Sequence, residues 1–368
     1  MRFKGENLDF EVLGASHASS IGGEARGLPA GETVDLAELQ AFLLRRAPGR
    51  GEWATKRREA DEPLFLSGLR DGVLTCEALR FEIRNTNQRS EDYEKLEFLP
   101  RPGHADYTAY MKSAGKEDLR GGGRYSGRMT APICVLGGIA LQILRRGGIE
   151  IGAHILSVAQ ARDAEFPLEA ISPEELHSAA KKAFPVLDDR AGERMQGAIR
   201  SVAANGDSIG GQVEVAATGL PIGLGGPLFE GLDGKLAQAF FAIPALKGVE
   251  FGEGFSLCKQ RGSQANDPFA IENGELKIKN NRSGGILGGM SSGAPLVVRL
   301  AFKPTPSIAH EQQSVDLKTM EERVLRVGGR HDPCIVPRAV PVCEAMMAIV
   351  LLDGLLAAER LQNKENRV

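Results

Sequence analysis

Residues 344–361 carry apolar side chains almost all the way round a helix, until Ala358. A helix with no polar face has to be covered on every side. It therefore calls for layers of structure above and below it. A lipid bilayer is the other possible cover. However, the most lipid-like run, 345–352, stops at Asp353, and a membrane span needs about 18 apolar residues. The start of the chain, Met1-Arg2-Phe3-Lys4-Gly5-Glu6, is polar and lacks the apolar core of a signal peptide. The five cysteines, Cys76, Cys134, Cys258, Cys334 and Cys343, are odd in number and far apart, with no CxxC pair. Reduced thiols, no membrane and a cytoplasmic location are expected.

Two further helices are legible. Asp35 is placed to cap one, with Glu38 three residues on and Leu36, Leu39 and Leu43 on one stripe. The second spans 130–146: Thr130 as cap, Pro132 in the first turn, Ile133, Leu136, Ala140 and Leu144 at helical spacing, and Gly147-Gly148 as the stop. Strands are expected over 78–84, 212–217 and 296–302. Alternation is visible in Val213-Glu214-Val215 and is longer in 79–84, where apolar and charged positions fall on opposite faces, as in a half-exposed strand. Ser-Ile-Gly-Gly at 20–23, followed by Gly-Leu-Pro-Ala-Gly at 27–31, is echoed by 208–211 and 219–223, which suggests two related halves. No linker forces a boundary, so a single domain over 1–368 is expected, with a flexible tail at 362–368.

Charge is nearly balanced, with 45 basic and 48 acidic residues, so anion binding has to be local. Arg45, Arg46, Arg50, Lys56, Arg57 and Arg58 cluster around Pro48-Gly49. Such a run reads either as a solvated face or as a clamp for phosphate or carboxylate. The segment Arg120-Gly121-Gly122-Gly123-Arg124-Tyr125-Ser126-Gly127-Arg128 leads straight into the helix at 130. Its glycines and the helix N-terminus favour phosphate binding there. The 283–293 loop, Gly-rich and lacking a P-loop lysine, reads as an anion nest or a turn. His17, His104 and His331 sit in turn-like segments, and His17 and His104 have neighbours suited to proton transfer. No HExxH-type spacing is present, so no metal site is expected.

These segments, in this order, closely resemble the chorismate synthase family from about Gly14 to about Leu356. The matching motifs are Ser16-His17, Arg-Arg-x-Pro-Gly at 45–49, Arg57-Arg58-Glu59-x-Asp61, and Asn85 through Ser90 with Asp92-Tyr93. They continue with Arg-Pro-Gly-His-Ala-Asp-Tyr-Thr at 101–108, Gly-Gly-Arg at 122–124, 247–252, Gly-Gly-Ile-Leu-Gly-Gly at 284–289, Lys303-Pro304-Thr305, and Gly-Arg-His-Asp-Pro-Cys at 329–334. The resemblance implies a lyase of the shikimate pathway. It would convert 5-enolpyruvylshikimate 3-phosphate to chorismate and phosphate by 1,4-anti elimination with reduced FMN. It implies an α+β fold, a β-α-β sandwich with central helices between two antiparallel sheets, assembled as a homotetramer.

By the same resemblance, His17 corresponds to the histidine that helps protonate the departing phosphate, and His104 to the one that protonates or steadies the reduced flavin. Asp332 corresponds to the carboxylate that acts with flavin N5, and Arg46 to a substrate-anion arginine. FMN contacts are implied for Arg124, Tyr125, Ser126, Pro244, Ala245, Gly288, Lys303, Pro304, Thr305, Pro306, Ser307 and Arg330. Reduced flavin would come from outside the chain, and no nucleic-acid partner is expected. Position 18 is Ala where the family has Gly, Tyr125 and Gly127 replace Ser and Ala, and Glu52 stands at a family arginine. These departures keep open a divergent member acting on another anionic substrate.

Overall fold

The computed structural model describes residues 1–49, 51, 53, 59, 61–85, 98–328 and 331–365, without the side chains of 362–365. The apolar helix is longer than its pattern suggested, running Val336–Glu365. The added N-terminal part contains Pro337 and Pro341. Pro337 falls in the first turn, where no N–H is needed. Pro341 lies inside the helix and costs one ladder hydrogen bond. The backbone of 362–365 continues the helix, and 366–368 lie outside the described residues.

The helix packs along Thr130–Arg146, and Leu36–Arg46 and Leu232–Phe240 complete a helical layer. Gly137 is the point of closest approach, where a Cβ would collide with Ala345. One five-stranded antiparallel sheet flanks the layer, in the order Arg2–Lys4, Asp9–Gly14, Ser20–Arg26, Leu79–Arg84, Leu64–Ser67. The other, also antiparallel, runs Leu246–Phe251, Leu296–Phe302, Gly211–Thr218, Glu150–Val158, Ala161–Arg162. The expected β-α-β sandwich is thus present. Leu136, Ile139, Val340 and Leu351 are fully buried in its middle, each contributing about 1.5–3 kcal/mol by leaving water. Gly127–Arg146 and Val336–Leu361 are long and apolar enough to cross a membrane, but 78% and 83% of these windows are buried inside the protein.

Asp353, which interrupts the apolar run, has a structural task. Its carboxylate accepts hydrogen bonds from the backbone N–H groups of Glu6 (2.9 Å), Asn7 (2.8 Å) and Leu8 (2.6 Å). This ties the first sheet to the last helix. Asp35 caps Leu36–Arg46 as expected, accepting from Ala37 and Glu38 N–H. Thr130 is not a cap. It is the first residue of its helix and donates to the Gly127 carbonyl, while Ser126 caps the short turn before it. The two Ser-Ile-Gly-Gly segments lead into strands of different sheets, each followed by a Gly-Leu-Pro turn and a helix.

The second sheet is covered on its far face by Pro173–Ser178 and Asp189–Ala204. Glu214, read in the sequence as the polar phase of an alternating strand, is buried there. It faces His154 Nε2 at 3.0 Å and accepts from Arg299 Nε at 2.9 Å, while Asp163 lies 3.2 Å from His154 Nδ1. Burial alone would lower the His154 pKa, but the two carboxylates outweigh it and hold it above the ordinary value. Its stabilising contribution is complete below the unfolded pKa of about 6.5 and is lost as pH rises through the higher folded value. Asp163 and Glu214 are held low by the same contacts against burial, so their contribution fades on the acid side. The melting temperature should therefore fall above neutral pH in the natural chain, and His154→Gln should remove that alkaline slope. Calorimetric melts of both proteins from pH 5 to 9 check this, and parallel slopes would sink it.

Candidate active site

A cavity of about 690 Å³ opens at one edge of the helical layer, within the size range of small-molecule sites. Its floor comes from the N-terminal ends of Thr130–Arg146 and Val336–Glu365, and its walls from three loops. One wall carries Arg101 and His104, a second Gly121 and Arg124 through Arg128, and a third Pro244, Ala245, Lys247, Lys303 and Thr305 through Ser307. Basic side chains dominate: Arg46, Arg101, Arg124, Arg128, Lys247, Lys303 and Arg338 line it, against Glu59 and Asp332. Such a lining attracts a polyanion. Phe241, Ile243, Ala339 and Val342 add an apolar strip.

The Gly-rich segment spaces two histidines. Gly121 and Gly122 adopt positive φ, at 60° and 89°, which glycine tolerates. A Cβ on Gly121 would collide with the His17 ring, and one on Gly122 would lie 3.2 Å from His104 Cε1 and Nε2. His17 thus lies behind Gly121, beside the cavity rather than in its lining. His104 is in the lining, and its Nδ1 is 2.6 Å from Asp106 Oδ1. That distance places the proton on Nδ1, donated to Asp106, and leaves Nε2 on the Gly122 side. Arg101 also approaches Nδ1, but its strong bonds go to Asp106, at 2.7 and 2.9 Å. Burial would raise the Asp106 carboxyl, yet Arg101 and His104 hold it far below the usual carboxylate range. Asp106 therefore remains an anion at any working pH. Asp106→Asn should cut kcat by about 10-fold and displace the acid limb of the pH–rate profile, because the ring loses its fixed tautomer. An unchanged profile would remove Asp106 from this role.

Arg46 is buried, 1% exposed. Its Nε donates to Asp61 Oδ2 at 2.9 Å, Nη2 donates to the same oxygen, and Nη1 reaches Gly127 O and Thr130 Oγ1. Arg128 donates through Nη1 to Asp61 Oδ1 and through Nε to Asn85 Oδ1. Its Nη2 is buried without a partner among the described residues. Burial disfavours both charges. Asp61 outweighs it at Arg46, whereas burial and the neighbouring Arg46 prevail at Arg128. Asp332 pairs with Arg338 at 2.5 Å, and Arg338 Nε donates to the Arg46 carbonyl. Lys303 donates to the Gly103 carbonyl, and burial together with Lys247 lowers its pKa.

Of the residues singled out in the sequence, the cavity gathers Arg46, His104, Arg124, Tyr125, Ser126, Pro244, Ala245, Lys303, Thr305, Pro306, Ser307 and Asp332. Pro304 turns away toward Gly210. Gly288 sits with φ +61° between the two-residue strands Ile286–Leu287 and Met290–Ser291, outside the lining. Arg50, Glu52, Lys56, Arg57, Arg58 and Arg330 lie outside the described residues. Arg338 and Phe241 were missed: each reads as an ordinary residue of a helix end, and only the fold turns it inward. The sequence offered Asp61 and Arg128 as motif members but gave no sign that they meet.

A family model described as chorismate synthase matches residues 8–356. The chorismate synthase of Thermococcus gammatolerans is 46% identical over 355 residues, covering 96% of this chain and 97% of that protein. That of Lancefieldella parvula is 42% identical over 370 residues, covering 98% and 97%. A chorismate synthase crystal structure superposes with a TM-score of 0.76 at 28% identity and covers 99% of both chains.

Proposed function

This chain belongs to the chorismate synthase family of lyases, and on that premise we propose that its basic cavity performs the 1,4-anti elimination of phosphate from 5-enolpyruvylshikimate 3-phosphate, giving chorismate, with reduced FMN. The observation that carries the reading is the gathering of two histidine-bearing loops and a set of arginines and lysines around one cavity. The substrate brings a phosphate and two carboxylates, and guanidinium and ammonium groups match all three.

The residues present fit FMN. Thr305 and Arg128 line the cavity, and Thr305 Oγ1 and Arg128 Nη2 are buried without partners among the described residues, a demand that a bound group would meet. Lys303, Ser307, Ser126 and Arg124 offer donors for a phosphate and a ring edge. Pro244, Ala245 and Ile243 offer an apolar surface for a flat ring. Tyr125 is part of the same lining and is 39% exposed. A reduced flavin held by these residues would supply transient electron density for cleavage of the carbon–oxygen bond to phosphate.

The chain's own groups do the rest. Arg128 Nη2 binds an anionic oxygen, and the surrounding cations stabilise charge as it builds on the leaving phosphate. By the family resemblance His17, behind Gly121 of the lining, is the proposed proton donor to that phosphate. His104, with Nδ1–H fixed on Asp106, donates from Nε2 toward negative charge in its imidazolium form. Asp332, held by Arg338, is the nearby carboxylate for removing a proton. Self-association into a homotetramer belongs to the same proposal and is supported by nearly bare apolar side chains, Leu228 and Phe229. Reduced flavin is proposed to come from outside the chain.

The test is anaerobic. The purified chain, mixed with chemically reduced FMN and 5-enolpyruvylshikimate 3-phosphate, should release chorismate and phosphate one to one, and nothing with oxidised FMN. Folded, flavin-loaded protein that forms no chorismate would overturn the reading.

A further inference from the structure

We infer that Asp61 is a positioning residue for the substrate anion, because one buried carboxylate holds Arg46 and Arg128 together and thereby fixes the Arg128 guanidinium in the cavity lining. Two guanidiniums repel each other and would part if left alone. Asp61 divides its two oxygens between them: Oδ2 accepts from Arg46 Nε and Nη2, and Oδ1 accepts from Arg128 Nη1. Glu59 adds a second carboxylate, 3.3 Å from Arg128 Nη1, and Asn85 takes the Nε side at 2.9 Å. With Nε and Nη1 held, the guanidinium plane cannot rotate. The remaining nitrogen, Nη2, is buried without a partner among the described residues, and Arg128 lines the cavity.

Asp61 itself is only 2% exposed, so it acts through the arginines rather than on the ligand. Its backbone has φ 53°, in the left-handed region. That conformation is uncommon outside glycine, although Asp adopts it more readily than most residues. Burying one carboxylate between two arginines makes sense where the pair's geometry matters more than its charge.

This inference rests on the reading that the cavity takes 5-enolpyruvylshikimate 3-phosphate, and binding is measured separately from turnover for that reason. Calorimetric titration of the full chain with that compound should show Asp61→Asn binding about tenfold more weakly. In an Arg128→Met background, adding Asp61→Asn should change affinity by less than about twofold, since the group it positions is gone. The Arg128→Met, Asp61→Asn protein loses one charge of each sign. It therefore decides the matter even where Asp61→Asn alone fails to fold. An equal loss in both backgrounds, or folded Asp61→Asn with natural affinity, would overturn the proposal. Tight binding by the natural chain without chorismate formation would overturn the reaction and leave the positioning role standing. No binding by the natural chain would overturn both.

Discussion

His104→Ala is expected to lower kcat by about 10²- to 10⁴-fold, the usual contribution of a placed proton donor, with folding intact. The ring is half-buried at the cavity edge and touches no core cluster, so its removal leaves the β-α-β layers unaltered. What disappears is Nε2, kept clear by Gly122 and held in one tautomer by Asp106. Substrate KM should change much less than kcat, because the anion-binding guanidiniums stand on other elements. Anaerobic kinetics with reduced FMN, alongside thermal melts, measure both quantities. A kcat within about threefold of the natural chain would remove His104 from the proton chemistry.

Glu344→Ala is expected to destabilise the fold by about 3–5 kcal/mol. Glu344 is 2% exposed and takes both Arg45 nitrogens, Nη1 at 2.6 Å and Nη2 at 2.7 Å, while its Oε1 also accepts from Ala153 N–H at 3.1 Å. One side chain thus joins helix 336–365, helix 36–46 and the second sheet. Burial works against the Arg45 charge, and Glu344 is the main group that restores it. Removing the carboxylate leaves a guanidinium in an apolar layer beside Cys134, whose thiol burial pushes up to about 12. A loss of that size is a large share of the roughly 5–15 kcal/mol that holds a typical domain together. Urea unfolding should show the midpoint fall with little change in slope, and Arg45→Met added to Glu344→Ala should recover part of the loss. A variant as stable as the natural chain would show that the pair contributes nothing.

The layers were legible because periodicity reports burial. The helix at 344–361 announced a layer on each side, and the two-sided burial of 150–158 agrees with it. Its true start was hidden by Pro337 and Pro341, because a proline's effect depends on where the first turn falls. Glu214 misled for a related reason. Alternation marks which face a residue is on, but not whether further helices cover that face. At the site, motifs named most of the cavity's residues, yet their partnerships belong to tertiary structure. Arg45 and Arg46 are adjacent and basic in sequence. In the fold one braces the helical layer against Glu344, and the other is buried against Asp61. These two residues are neither part of a solvated face nor free charges of a clamp.

The bond from Asp353 to Glu6, Asn7 and Leu8 spans nearly the whole chain, and this sets an order of events during synthesis. The strands of the first sheet leave the ribosome early, but the helix whose Asp353 ties down the start of that sheet is made last. Until then helices Leu36–Arg46 and Thr130–Arg146 lack the long helix they pack against, and the apolar faces they show are the kind of surface that aggregates. Contacts so distant in sequence also slow the search for the native state. The central helix that makes this fold a sandwich thus also makes it a late-closing one, which exposes the nascent protein to chaperones for almost the full time of its translation.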